Sequence, residues 1–394
     1  MKKTIRDFDL RGKRVLIRVD FNVPLDKSLS VTDDNRIRAS LPTIQYALDH
    51  GAKVILMSHL GRPDGKPVSS MSLSPASKRL SELIKKDVIQ CSDCIGSRVK
   101  DELSVLNGVK SVAVLENLRF YPDEEKNGAD FARKLAENGD IYINDAFGSS
   151  HRAHASIDAV TKFLPSGAGF LLEKEIQYLG DAMQRPKKPF VAILGGSKVS
   201  DKIGVVENLI AKVDRILIGG AMAYTFLKVQ GIEIGDSKYE KDKLDLAKSI
   251  LEKAKQAKVD ILLPVDHVSV QKVDAAAPTR VEGPGIGTGR FGVDIGPKTV
   301  ELFCQTLDTA RTVIWNGPMG IFEMAPFANG SREIALKLSR LKDAVTVIGG
   351  GDTAACVIGF GLDQQMTHIS TGGGASLEYL EGKALPGITA LSER

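Results

Sequence analysis

Short runs of apolar, often β-branched residues alternate along nearly the whole chain with longer segments whose apolar positions recur every three or four residues. That rhythm is the signature of parallel strands covered by crossover helices. In the first half it predicts strands at 14–19, 53–58, 111–116 and 140–145, with helices between them, as at 38–49 and 75–86. In the second half it predicts strands at 190–196, 215–220, 260–266, 312–317 and 344–351, several running straight into glycines. Each half therefore predicts a doubly wound α/β domain with a parallel sheet. A helical stretch at 169–183 followed by Arg185-Pro186-Lys187-Lys188-Pro189 places the division near 180–188, giving domains of 1–180 and from 181 onward, joined by a helical hinge.

Size agrees with two domains, because 394 residues exceed the roughly 250–300 at which single cores stop growing. An apolar fraction of 43% and a charged fraction of 26% are those of a folded protein, not a disordered one. The 53 basic and 49 acidic residues are interspersed, so a net charge of +4 implies no nucleic-acid partner. No apolar run reaches the roughly 18 residues of a spanning helix, and MKKTIRDFDL lacks an apolar leader core, so the expectation is a cytoplasmic protein with no membrane partner. Four cysteines are too few for a disulfide framework; Cys91 and Cys94 read as reduced thiols in a loop, Cys304 and Cys356 as core packing.

Candidate chemistry gathers at strand ends, where open parallel sheets bind ligands. After the first strand, Arg18, Asp20 and Asn22 share one face by period-two alternation, and Arg36 follows. The second strand leads to His59 and Arg62, the third to Arg119, the fourth to His151, Arg152 and His154. A lone arginine in a loop is usually a solvated side chain, but four at successive strand ends suit a small molecule bearing phosphate and carboxylate groups, whose oxygens the guanidinium fork matches in pairs.

The second half differs. Glycines end the strand before Lys198 and Lys202, whose spacing of four predicts a shared helix face, though the segment is not a Walker A loop. Asn316 and Glu323 follow the strand at 312–317, and Asp352 and Thr353 follow Gly350 and Gly351 at a helix start. Asp352 reads either as a simple helix cap or as a ligand for the Mg²⁺ of a nucleotide. The glycine-rich 282–290 lacks the dinucleotide spacing and reads as a surface loop.

Taken in order, KRVLIRVDFNVP (13–24), SHLGRP (58–63), ENLRFYPDEEKN (116–127), DAFGSSHRAHAS (145–156), GGSKVSDK (195–202), NGPMGIFE (316–323), GGGDT (349–353) and LPGITAL (385–391) resemble the phosphoglycerate kinase family over essentially the full length. The resemblance implies two Rossmann-like lobes, the N-terminal one binding 3-phosphoglycerate or 1,3-bisphosphoglycerate, and the one at 181–375 binding ADP or ATP with Mg²⁺. A tail at 376–394 would return to the N-terminal lobe. Matching motifs imply a glycerate site of Asp20, Asn22, Arg36, His59, Arg62, Arg119 and Arg152. They imply a nucleotide site of Lys198, Lys202, Gly292, Asn316, Glu323, Gly350, Gly351, Asp352 and Thr353, with Asp352 the metal ligand. Family likeness also implies a glycolytic enzyme acting as a hinge-bending monomer.

The acceptor in such a reaction is a carboxylate, ionised at neutral pH, so no general base is needed. Catalysis reduces to positioning and charge stabilisation, with Arg36, Lys198 and the Gly350 and Gly351 amides as the groups expected to meet the transferring phosphoryl. Two other readings, a non-catalytic anion-binding protein and a nicotinamide-dependent dehydrogenase, fit less well: the first has no use for a nucleotide-like site, and the second lacks its fingerprint.

Overall fold

Strands and helices alternate as the pattern predicts, and they gather into two units. The computed structural model describes residues 1–107 and 111–394. One unit is Met1–Gln177 together with Ala384–Arg394; the other is Tyr178–Lys383.

The first unit carries β1 (Arg14–Arg18), α1 (Asn35–Asp49), β2 (Lys53–Met57), α2 (Ser74–Ile84), β3 (Val88–Gln90), α3 (Ser97–Ser104), β4 (Val112–Val114), α4 (Pro122–Glu125), α5 (Ala129–Ala136), β5 (Ile141–Asn144) and β6 (Ser166–Ala168). Its six strands are all parallel in the order β3-β4-β2-β1-β5-β6. β1, β2, β4 and β5 are buried on both faces, because helices cover both sides of the sheet. Val15, Ile17, Val54, Leu56, Val114 and Ile143 pack with Ile37, Ile44 and Ala47 of α1 and Leu80 of α2. Helix α1 begins three residues earlier than the pattern predicts. Asp33 accepts the Asn35 N–H at 2.8 Å, which sets the start there and puts Arg36 in the first turn. Two strands, β3 and β6, were not predicted.

Helix α6 (Phe170–Gln184) carries the chain from the first unit into the second, and the division falls inside it, at Gln177 and Tyr178, ahead of the 180–188 stretch. The second unit holds β7 (Phe190–Leu194), α7 (Ile203–Ile210), β8 (Arg215–Ile218), α8 (Met222–Val229), α9 (Leu244–Gln256), β9 (Asp260–Leu262), β10 (His267–Val270), β11 (Arg280–Glu282), β12 (Phe291–Ile295), α10 (Pro297–Leu307), β13 (Thr312–Asn316), α11 (Asn329–Ser339), β14 (Val345–Gly349), α12 (Gly351–Gly359), β15 (His368–Ile369) and α13 (Gly374–Leu380). Six strands form a second parallel sheet in the order β15-β14-β13-β7-β8-β9. Val191, Ile193, Leu217, Val313, Trp315 and Ile348 build its core with Phe303, Leu307, Ile334 and Leu338 of α10 and α11.

A three-stranded antiparallel sheet, β11-β10-β12, lies outside the predicted scheme and has its own small core of Val270, Val293 and Phe327. The 282–290 segment, from the end of β11 to β12, is largely exposed, as the surface-loop reading expects, with Ile286 alone of its residues buried, where it bridges Ile234. The returning tail is shorter than 376–394, since α13 packs in the second unit, where Asn208 donates to the Leu380 carbonyl at 2.7 Å. In the first unit, α14 (Pro386–Thr389) is held where Asn144 donates to the Gly387 carbonyl at 2.8 Å and Gly387 donates to the Ser150 carbonyl at 2.9 Å.

Candidate active site

In the first unit, the carboxyl ends of β1, β2, β4 and β5 bring a basic cluster together. Arg18, the last residue of β1, is fully buried. Its NH2 donates to His59 Nδ1 at 3.1 Å, its Nε donates to Ser156 Oγ at 3.0 Å, and its NH1 donates to the Val19 carbonyl. Asp20 and Asn22 lie on the same side of the chain, with Val19, Phe21 and Val23 turned into the core, as alternation requires. Arg36 donates to Asp20 Oδ2 at 2.5 Å and stays half exposed, so its charge is partly free for a ligand. Asn22 Oδ1 accepts the Gly61 N–H at 2.9 Å, tying the loop after β2 to that after β1. Arg119, in the turn after β4, is buried; its NH1 donates to the Gly61 carbonyl at 2.9 Å and its Nε faces Glu125 at 3.2 Å. Arg152 donates to His151 at 3.3 Å. Arg62 is exposed and bonds to no group among the described residues.

The field of this cluster is felt by its histidines. Burial, then the guanidinium groups of Arg18, Arg119 and Arg36 and the His154 ring, hold His59 well below the ordinary histidine range. Burial with Arg119, Arg18 and Arg152 pulls His154 down to about 3. Both rings are neutral at physiological pH. Sequence reasoning left Arg18 and His154 out of the site set and passed over Glu124 and Ser156 beneath them. The available signal was Arg18 itself, an arginine closing an apolar strand. Cys91 and Cys94 are buried just beyond β3, and burial pushes the Cys91 thiol up to about 12, so neither is a ready nucleophile.

In the second unit, two adjoining cavities open at the strand ends. The larger, about 430 Å³, is lined by Gly196, Gly220, Tyr224, Phe291, Gly292, Met319, Glu323 and Asp352. The smaller, about 190 Å³, is lined by Lys202, Asn316, Gly350, Gly351, Asp352 and Thr353. Asp352 belongs to both. It is the second residue of α12 and exposed; Gly350 holds the cap position with φ 86°, a conformation that favours glycine. Thr353 Oγ1 accepts the Gly317 N–H at 2.6 Å and fixes the turn after β13. The α12 amides thus face the smaller cavity, as an anion site requires.

Lys202 donates to Asn316 Oδ1, which leaves the buried Asn316 Nδ2 with no partner and adjacent to Gly350. Burial pushes Lys202 down to about 8, against the carboxylates of Asp201, Asp352 and Glu381. The expected pairing of Lys198 and Lys202 on one helix face is not found. Ser200 donates its N–H and hydroxyl to Glu240 at 3.0 and 2.5 Å, and Ser200–Lys202 winds as a 3₁₀ turn before α7. Lys198 precedes that turn, exposed and bonded to no group among the described residues.

The whole chain is similar to known proteins. A family model described as phosphoglycerate kinase matches residues 5–383. A phosphoglycerate kinase of Dictyoglomus turgidum is 54% identical over 100% of both chains, and one of an Anaeromyxobacter species is 56% identical over 99% of both. Among solved structures, phosphoglycerate kinase from Coxiella burnetii superposes with a TM-score of 0.90 at 39% identity, covering 99% of this chain and 98% of that one. The Pyrococcus horikoshii enzyme gives 0.84 at 33% identity with the same coverage. With two parallel-sheet units, clustered guanidinium groups in one and glycine-lined cavities in the other, the chain belongs to the phosphoglycerate kinase family.

Proposed function

We propose that the basic cluster of the first unit binds 3-phosphoglycerate or 1,3-bisphosphoglycerate and that the paired cavities of the second bind ADP or ATP. The reaction is reversible phosphoryl transfer from 1,3-bisphosphoglycerate to ADP, giving 3-phosphoglycerate and ATP, a step of glycolysis.

The observation that carries this reading is the make-up of the first unit's rim. Four arginines, Arg18, Arg36, Arg119 and Arg152, surround two histidines that burial and positive charge keep neutral. Such a rim offers donors and cations without a competent base, since an imidazole pulled down to about 3 does not hold a proton at neutral pH. A carboxylate acceptor needs no base, whereas a hydroxyl acceptor would. Asp20, Asn22, His59 and Arg62 complete the glycerate set.

On the nucleotide side, the larger cavity has the apolar walls a base requires, with Glu323 placed for ribose hydroxyls. The smaller cavity offers Lys202, the unpartnered Asn316 Nδ2 and the first amides of α12 to phosphate oxygens. Asp352, between the two, fits Mg²⁺, a hard cation that takes one or two carboxylates together with phosphate oxygens. When bound, Mg²⁺ would offset phosphate charge. In the second unit, Lys198, with an exposed cationic end, and the Gly350 and Gly351 amides suit the equatorial oxygens of a transferring phosphoryl; in the first, the exposed guanidinium of Arg36 suits the same charge. The enzyme acts as a cytoplasmic monomer on small-molecule substrates only, a reading supported by the family and by four free cysteines.

The test is a coupled assay with ATP, Mg²⁺ and 3-phosphoglycerate, repeated on Lys198→Ala. ATP consumption that requires 3-phosphoglycerate, and a kcat lowered about 100-fold or more in the variant, are expected. ATP turnover indifferent to 3-phosphoglycerate would overturn the assignment.

A further inference from the structure

Beneath the basic rim runs a line of four side chains whose hydrogen bonds have forced directions. Glu124, in α4, is fully buried, and its carboxylate accepts the Ser156 hydroxyl at 2.5 Å and the Ser156 N–H at 2.9 Å. Tyr142, on β5, donates to the Ser156 carbonyl at 2.8 Å, so Ser156 is held from two sides. The serine hydroxyl has one proton, and the carboxylate takes it. Only the oxygen lone pairs then face Arg18, whose Nε donates to them at 3.0 Å. A guanidinium has no acceptor, so across the 3.1 Å contact from Arg18 NH2 the His59 Nδ1 must accept. The single proton of a neutral imidazole is then on Nε2.

We propose that Glu124, Ser156 and Arg18 form a buried positioning relay that fixes His59 as the Nε2–H tautomer, so that it meets the substrate as a neutral hydrogen-bond donor. This rests on the placement of His59 in the glycerate site. Ser156 and Glu124 touch no substrate; they act through Arg18. The geometry needs the ring to stay neutral, and what surrounds it agrees. Arg18 at the end of β1, Arg36 on α1, Arg119 after β4 and the His154 ring after β5 all act against an imidazolium, as does burial. A donor fixed in this way can discriminate, because it offers a proton to a carboxylate or hydroxyl oxygen of the substrate and repels another donor.

Tautomers are read directly by two-bond ¹H–¹⁵N correlation on histidine-labelled protein. The chain has six histidines, and the signals lost in His59→Gln assign the one in question. The wild type should show a protonated Nε2 and a bare Nδ1 that do not titrate between about pH 5 and 8. Ser156→Ala should mix the two tautomers and raise KM for 3-phosphoglycerate about tenfold, the equivalent of one hydrogen bond, with KM for ATP unchanged. Should Ser156→Ala not fold, the isosteric Glu124→Gln serves with the same readouts. A wild-type His59 protonated on Nδ1, or variants that leave both tautomer and KM as they were, would overturn the relay. If His59→Gln leaves KM for 3-phosphoglycerate unchanged, the substrate placement fails, while the wild-type spectrum still decides the tautomer.

Discussion

Gly292→Ala isolates the claim that the larger cavity of the second unit holds the nucleotide. Gly292 lies on β12, donates its N–H to Ser237 Oγ at 2.9 Å and forms part of the cavity wall. A Cβ there would fall inside the phenol of Tyr224, and the next atom, Ile286 Cδ1, is only 2.8 Å away. Both neighbours are buried, Tyr224 at 4% and Ile286 at 2% exposure, so neither can swing into solvent. Forcing a methyl into a filled space costs about 1–3 kcal/mol. If the phenol yields into the cavity, that energy appears as lost affinity, about five- to 150-fold in the dissociation constant for ADP. If the sheet yields instead, it appears as a lower melting temperature, about 2–4 °C per kcal/mol for a unit of this size. Calorimetric titration with ADP and a thermal melt together account for both routes. Adding Tyr224→Phe removes the hydroxyl but leaves the ring carbon behind it, so the double variant should recover only part of the loss. ADP affinity and melting temperature both equal to wild type would refute the steric reasoning.

Arg36→Ala should lower kcat about 100-fold or more with nucleotide affinity nearly intact, measured by steady-state kinetics and ADP titration. Asp145 is fully buried, and burial raises its carboxyl from 3.8 to about 6. Its contribution to stability is therefore complete below the unfolded value and fades as pH rises through about 6. Relative to wild type, Asp145→Asn should gain up to about 3 kcal/mol between about pH 4 and 7, and parallel denaturation curves at the two pH values would contradict this. Trp315 is fully buried and its indole donates to the Gly317 carbonyl at 2.8 Å. Trp315→Phe should cost about 1–3 kcal/mol by urea denaturation and raise KM for ATP by loosening the turn that carries Asn316.

Both parallel sheets were legible because their central strands are buried on two faces and read as unbroken apolar runs. The strands that escaped are those whose order comes from neighbours. Ser166-Gly167-Ala168 has no intrinsic strand preference, yet it pairs with Tyr142–Asn144 as β6. Asp260–Asp266 reads as one strand, but β9 ends at Leu262 before Pro264, and the chain resumes as the short β10, whose register with β12 shifts between Val268 and Ser269. Too little alternation remains there for a period-two signal. In the site, Arg36, Arg119 and Asp352 were visible because strand ends and helix starts concentrate function. Glu124 was not: it sits in the charged run Pro122–Asn127, which reads as a solvated surface, and only the fold folds that run under Ser156. The lysine pairing failed for a related reason, since Glu240, distant in sequence, draws Ser200 aside and tightens the turn.

The interleaving of the two units has a consequence for biosynthesis. The first unit needs Ala384–Arg394, where Lys3 donates to the Ser392 carbonyl at 2.9 Å and Ser392 donates to Ser166 Oγ at 3.0 Å. Those partners leave the ribosome after the entire second unit. The segment made first is therefore the last to be completed: residues 1–177 carry all six strands of their sheet but lack the tail that bonds to Lys3 and Ser166 until 178–383 have been made. Ribosome-bound chains halted before residue 384 should resist protease across the second unit well before the first acquires the same protection.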